Sequence, residues 1–162
     1  MQIGEHGLDS TVVRSPSGGI TFTILEQDPR KQPGQLAGQL AGSLSRFGGP
    51  GVQHLAFVDD IDSAVRDCSA QGIDYLPTPS AYYHRLASRL PARRGQISEL
   101  RATSVLADRD EWGYLLQLFT RSPYPRNTVF YELVQRRGAC GVGGANIKAV
   151  YEAVAREDIA AE

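Results

Sequence analysis

The chain has 162 residues, 41% hydrophobic and 22% charged, with a formal net charge of −1; that fits one globular domain with enough length for a core and offers nucleic acid no basic face. No apolar run approaches the roughly 20 residues of a membrane span, and the opening Met1-Gln2-Ile3-Gly4-Glu5 lacks the basic and apolar regions of a secretion signal. Two scattered cysteines, Cys68 and Cys140, make no disulfide framework and suit a reducing, cytoplasmic setting.

In chain order, residues 8–15 and 20–26 are rich in Thr, Val, Ile and Phe and flank Ser15-Pro16-Ser17-Gly18-Gly19, which predicts a hairpin. A polar, proline-bounded loop follows. Residues 34–47 contain a tandem Gly-Gln-Leu-Ala repeat that sets Leu36, Leu40 and Leu44 on one helical stripe, a local duplication whose glycines weaken the helix. After Gly48-Gly49-Pro50, residues 51–58 read as a strand. A helix capped by Asp60 or Asp62 then runs to Ala70 and is closed by Gly72. Tyr75-Leu76 reads as a short strand, 81–90 and 96–103 as helices, and 105–107, 113–120 and 129–136 as strands, with a turn at 108–111. A closing helix over 145–157 would place Ile147, Val150, Tyr151 and Val154 on one face. The arginines at 85, 89, 93 and 94 read as a solvated helix face and loop.

Two strands carry an anomaly. Glu132 sits inside the apolar run 129–134, and His54 inside 51–58. A charged group on a buried strand face costs several kcal/mol unless something compensates it, and a cation is the natural compensator. One His and one carboxylate on separate apolar strands make two thirds of the triad that holds non-haem Fe(II). The remaining histidines, His6 at the entry to the first strand and His84 in a helical pattern, are poor candidates for the third ligand. Cys140 has no His near it in sequence and is a poor candidate nucleophile.

Five stretches in order carry a family resemblance: Gly-Pro-Gly-Val-Gln-His-Leu-Ala-Phe at 49–57, Tyr82-Tyr83 after Pro79, Gly-Tyr-Leu-Leu-Gln-Leu-Phe-Thr at 113–120, Phe-Tyr-Glu-Leu-Val-Gln-Arg at 130–136, and Ala-Asn-Ile-Lys-Ala at 145–149. The chain resembles the vicinal-oxygen-chelate superfamily, specifically the C-terminal half of 4-hydroxyphenylpyruvate dioxygenase and its relative 4-hydroxymandelate synthase. The resemblance implies an α+β fold, a βαβββ module forming a half-barrel sheet, preceded by the last hairpin of a first module. On that view 1–30 is the hairpin remnant, 31–50 a connecting helix and loop, 51–140 the second module with a helical insertion, and 141–162 the C-terminal helix, all in one domain.

The resemblance also implies a site. His54 and Glu132 match Fe(II) ligands, with Fe(II) as the cofactor. Gln117 and Phe119 match pocket-lining positions, and period two sets them on one strand face. Ser10, Gln53, Asn146 and Ile147 match further pocket positions. Gln39 matches a helix glutamine, with the duplicated Gln35 competing for the role. The implied substrates are an aromatic 2-oxo acid and O2. Ile147, together with Thr23 and Leu25 on the hairpin, favours the hydroxymandelate branch over the homogentisate branch. Gly141-Val142-Gly143-Gly144 departs from the family's Gly-Phe-Gly at the pocket lid. The family's first iron-binding His would lie further upstream of His54 than this chain extends. A homodimer, or a partner chain bringing the missing module, is therefore expected to complete the barrel; the competing expectation is a non-catalytic binding or regulatory homologue.

Overall fold

The computed structural model describes residues 8–28, 30, 35–58, 60–144 and 146, with the side chains of 8, 35, 36, 39 and 92–94 left aside. The chain divides into two compact units, Met1–Gly51 and Val52–Glu162.

In the first unit, β1 (Leu8–Arg14) and β2 (Thr21–Gln27) form an antiparallel hairpin in which Ser10 faces Leu25 and Val12 faces Thr23. The turn closes through Ser15 N–H donating to the Ile20 carbonyl at 2.9 Å, with Gly18 at φ +73°, a left-handed conformation that costs glycine nothing. The helix α1 (Gln35–Phe47) follows. Both predicted strands and the helix are present.

In the second unit, β3 (His54–Val58) leads into α2 (Ile61–Ala70), then α3 (Ser80–Arg89), a 3-10 turn (Pro91–Gln96) and α4 (Ile97–Ala102). Three strands close it: β4 (Leu106–Arg109), β5 (Tyr114–Phe119) and β6 (Phe130–Arg137). The sheet order is β3-β6-β5-β4, with β3 parallel to β6 and the other pairs antiparallel. This is the α+β, open four-stranded sheet of a βαβββ module. Tyr75 contributes only an isolated bridge to Thr120, short of the strand predicted at 75–76, because Pro77 and Pro79 remove the donors that would extend it. The turn begins two residues later than predicted, at Asp110, since β4 runs to Arg109.

The core gathers Ile61 from α2, Tyr83 and Leu86 from α3, Leu100 from α4 and Leu118 from β5. Burying five such side chains supplies on the order of 10 kcal/mol before entropy is counted. Asp60 is the N-cap residue of α2, but its side chain does not cap. It accepts instead from Gln135 Nε2 on β6 at 2.9 Å, tying the helix start to the sheet. The predicted closing helix lies outside the described residues beyond Asn146. Among the described residues no helix is long and apolar enough to cross a membrane.

Candidate metal and substrate site

The pairing of β3 with β6 decides the site. Parallel register sets His54 beside Phe130 and Ala56 beside Glu132, and the antiparallel register of β5 sets Phe119 opposite Glu132. Paired residues share a sheet face, so His54, Glu132, Phe119, Phe130 and Gln117 converge on one side. His54 Nε2 lies 3.5 Å from Glu132 Oε2, with the histidine side chain 39% exposed and the glutamate 7%. The imidazole stacks on Phe130 at a centroid distance of 5.3 Å, and Phe119 meets the same ring edge-on.

The carboxylate is held from the other side by a buried chain of amides. Gln117 Nε2 donates to Glu132 Oε1 at 2.7 Å. Asn146 Nδ2 donates to Gln117 Oε1 at 2.7 Å. Tyr82 Oη donates to Asn146 Oδ1 at 2.6 Å and accepts from Ala107 N–H at 2.8 Å. Each amide thus has its NH2 pointing toward Glu132. One glutamate oxygen is occupied by Gln117, and the other is left facing His54.

The electrostatics at that gap are set by burial. Burial pushes the Glu132 carboxyl up to about 6, against the lowering effect of the Gln117 hydrogen bond and of Arg136. Burial also lowers the His54 pKa, which favours the neutral imidazole. In the tautomer where Nδ1 donates to Gln53 Oε1 at 3.3 Å, the Nε2 lone pair faces the Glu132 oxygen. Two acceptors facing each other at 3.5 Å are beyond hydrogen-bond length and could hold a cation between them. Two donors each roughly 2.1 Å from one divalent ion at right angles stand about 3 Å apart, so the pair fits with a small closure. Among the described residues no third His, Cys, Asp or Glu joins them as a metal-holding group.

Of the other residues singled out from sequence, Gln53 is adjacent and touches His54. Ser10 on β1 is exposed, and Gln39 lies in α1; both belong to the first unit. His84 is exposed on α3. Ile147 and His6 lie outside the described residues. Tyr82 as the anchor of Asn146 and Phe130 as the ring under His54 come from the structure alone. An adjacent Tyr pair inside an amphipathic helix was the available signal, since a buried hydroxyl needs a partner.

No protein-family model matches the chain. It is 37% identical over 155 residues to 4-hydroxyphenylpyruvate dioxygenase of Yarrowia lipolytica, across 93% of its own length and 38% of that protein. With the pig protein of the same name it is 35% identical over 155 residues. A solved triple mutant of 4-hydroxymandelate synthase from Streptomyces coelicolor superimposes with a TM-score of 0.74 at 55% identity, over 93% of this chain and 42% of that one. This chain is a homologue of the 4-hydroxyphenylpyruvate dioxygenases and 4-hydroxymandelate synthases. It has the vicinal-oxygen-chelate fold of those proteins and spans about two fifths of the length of the curated relatives it matches (a fusion protein combining a xylose isomerase-like barrel with such a dioxygenase also superimposes, with a TM-score of 0.70 at 32% identity).

Proposed function

We propose that this homologue carries the iron-binding module of an oxygenase that converts 4-hydroxyphenylpyruvate and O2 to 4-hydroxymandelate and CO2. The observation that carries the reading is the His54 Nε2 and Glu132 Oε2 pair, an imidazole against a carboxyl group whose other oxygen accepts from Gln117. When bound there, ferrous iron supplies the Lewis acid for the 2-oxo acid and the redox centre for O2. The protein's own residues do the rest. Gln117 fixes the carboxylate so that only Oε2 is free to ligate. Asn146 and Tyr82 fix Gln117. Phe119 and Phe130 supply an apolar wall against which an aromatic ring packs, and Ile147 would shape the approach to its side chain.

A third protein ligand, absent from the described residues, would come from a second chain. Among the described residues β3 is an edge strand with no strand partner on its far side, and Leu55, Phe57 and Val58 on it are exposed; such an edge favours pairing with another chain. On this reading 1–30 is the closing hairpin of a first module, 31–50 the connection, 51–140 the iron-binding module and 141–162 the closing helix. The two free cysteines suit a cytoplasmic setting. The homogentisate-forming reaction is the second reading, favoured by the names of the curated relatives, while the 55% identity to the mandelate synthase structure favours the first.

The test is a product assay. The pure chain is incubated with Fe(II), ascorbate, O2 and 4-hydroxyphenylpyruvate, and the products are separated with mass detection. 4-Hydroxymandelate supports the proposal, and homogentisate transfers it to the other branch. An intact fold that forms neither leaves a binding or regulatory homologue.

A further inference from the structure

Asp110 lies 22 residues before Glu132 in sequence and touches none of the proposed ligands, yet its surroundings are unusually ordered. At the end of β4, its Oδ1 accepts the backbone N–H groups of Trp112 and Gly113, both at 3.0 Å. Its Oδ2 accepts those of Cys140 at 2.8 Å and Gly141 at 2.7 Å. The first two bonds close its own turn. The other two reach a segment about thirty residues further on. An ionised carboxylate can accept at both oxygens, whereas an asparagine turns one end into a donor. Although burial alone would raise the Asp110 pKa, the four N–H groups hold it below its ordinary value.

The captured segment leads directly to the site. Gly138 and Gly143 adopt φ +86° and +72°. Gly113 packs on the Arg137 carbonyl with no room for a side chain, and Gly143 packs in the same way on the Gln117 amide. Arg136 Nη1 donates to the carbonyls of Ala139 and Gly141, bracing the segment from its other polar side. At the far end, the Val142 carbonyl accepts from Gln117 Nε2 at 3.3 Å, and Asn146, folded back by its N–H onto the Gly143 carbonyl at 2.9 Å, donates to Gln117 Oε1. Among the described residues, the side-chain hydrogen bonds that Gln117 makes besides the one to Glu132 therefore come from a segment fastened at Asp110.

We propose that Asp110 is a positioning residue of the site: by holding Cys140 and Gly141 it seats Val142, Gly143 and Asn146 on Gln117, and so sets which oxygen of Glu132 is left free. The inference rests on the reading of Gln117 and Glu132 as site residues. The experiment uses the full 15N-labelled chain, in which the side-chain amide resonances of Gln117 and Asn146 and the exchange of the Cys140 and Gly141 amides are followed by NMR. D110N should speed exchange at Cys140 and Gly141 about tenfold or more, as the loss of a charged hydrogen bond implies, and should displace the Gln117 side-chain pair while the β3 and β6 amides stay in place.

Two further variants keep the test sharp. G141A brings a methyl group 3.2 Å from Asp110 Oδ2 without removing any polar group, and should move the Gln117 pair less, in the same direction. D62N removes an exposed carboxylate in the first turn of α2, and should leave the Gln117 pair unmoved. Freed Cys140 and Gly141 amides with an unmoved Gln117 pair would overturn the proposal, as would an unmoved pair in G141A should D110N not fold. None of these readouts needs iron or substrate, so a failed product assay would count against the proposed function alone.

Discussion

Replacing Glu132 by Gln should stabilise the metal-free chain while abolishing its response to divalent metal. The Glu132 side chain is 7% exposed, and burial lifts its pKa from 4.5 to about 6. At neutral pH the charged form is therefore disfavoured in the fold by about 2 kcal/mol. For a carboxyl raised on folding, the native state holds more protons than the unfolded chain between those values. Stability then falls as pH climbs from about 4.5 to 6 and stays lower above that. Glu132→Gln keeps the shape, still accepts from Gln117, and can donate to the His54 Nε2 lone pair. Denaturant unfolding in chelator should show the variant ahead by about 1–2 kcal/mol at pH 7.5, with the gain vanishing near pH 4.5. Added Fe(II) or Mn(II) should raise the midpoint of the parent only. A variant equally destabilised at both pH values would refute the reasoning, since the carboxylate would then be a net asset to the fold.

Three other outcomes follow from the same geometry. His54→Ala should abolish metal-dependent stabilisation yet cost the metal-free fold under about 1 kcal/mol, because the side chain is partly exposed at a sheet edge; calorimetric metal titration and unfolding midpoints separate the two. Gly143→Ala should lose 4-hydroxyphenylpyruvate binding and about 1–3 kcal/mol of stability, since φ is +72° and the new methyl collides with the Gln117 amide, as measured by ligand titration and denaturant unfolding. Phe57→Lys on the bare edge strand, where Phe57 is 53% exposed, should shift the chain toward monomer in light scattering, and an unchanged mass distribution would count against pairing through β3.

The local pattern of strands and helices was legible because β-branched and aromatic runs alternate with turn residues along the chain. The strand carrying Gln117 and Phe119 shows this most plainly: period two puts both on one face, and the register makes it the face that Glu132 shares. What no local pattern encodes is the order of pairing. The first strand of the module lies parallel beside the last, and only that crossover makes His54 and Glu132 neighbours. The same limit hid the Tyr82–Asn146 bond, which joins residues 64 apart. Asp60 sits where a helix cap belongs, and the competition for its oxygens was decided by Gln135, a tertiary partner. The 3-10 turn at Pro91–Gln96 has the composition of a loop and was read as one.

That His54 projects from the outermost strand has a thermodynamic corollary. Any chain that zips onto the free edge of β3 stiffens the backbone bearing one ligand, so loading and assembly share a single coupling free energy. By reciprocity, a partner that tightens metal tenfold is itself bound tenfold more tightly when metal is present. The apparent metal affinity of this protein should therefore climb with its own concentration, and a chelator should act on it as a dissociating agent.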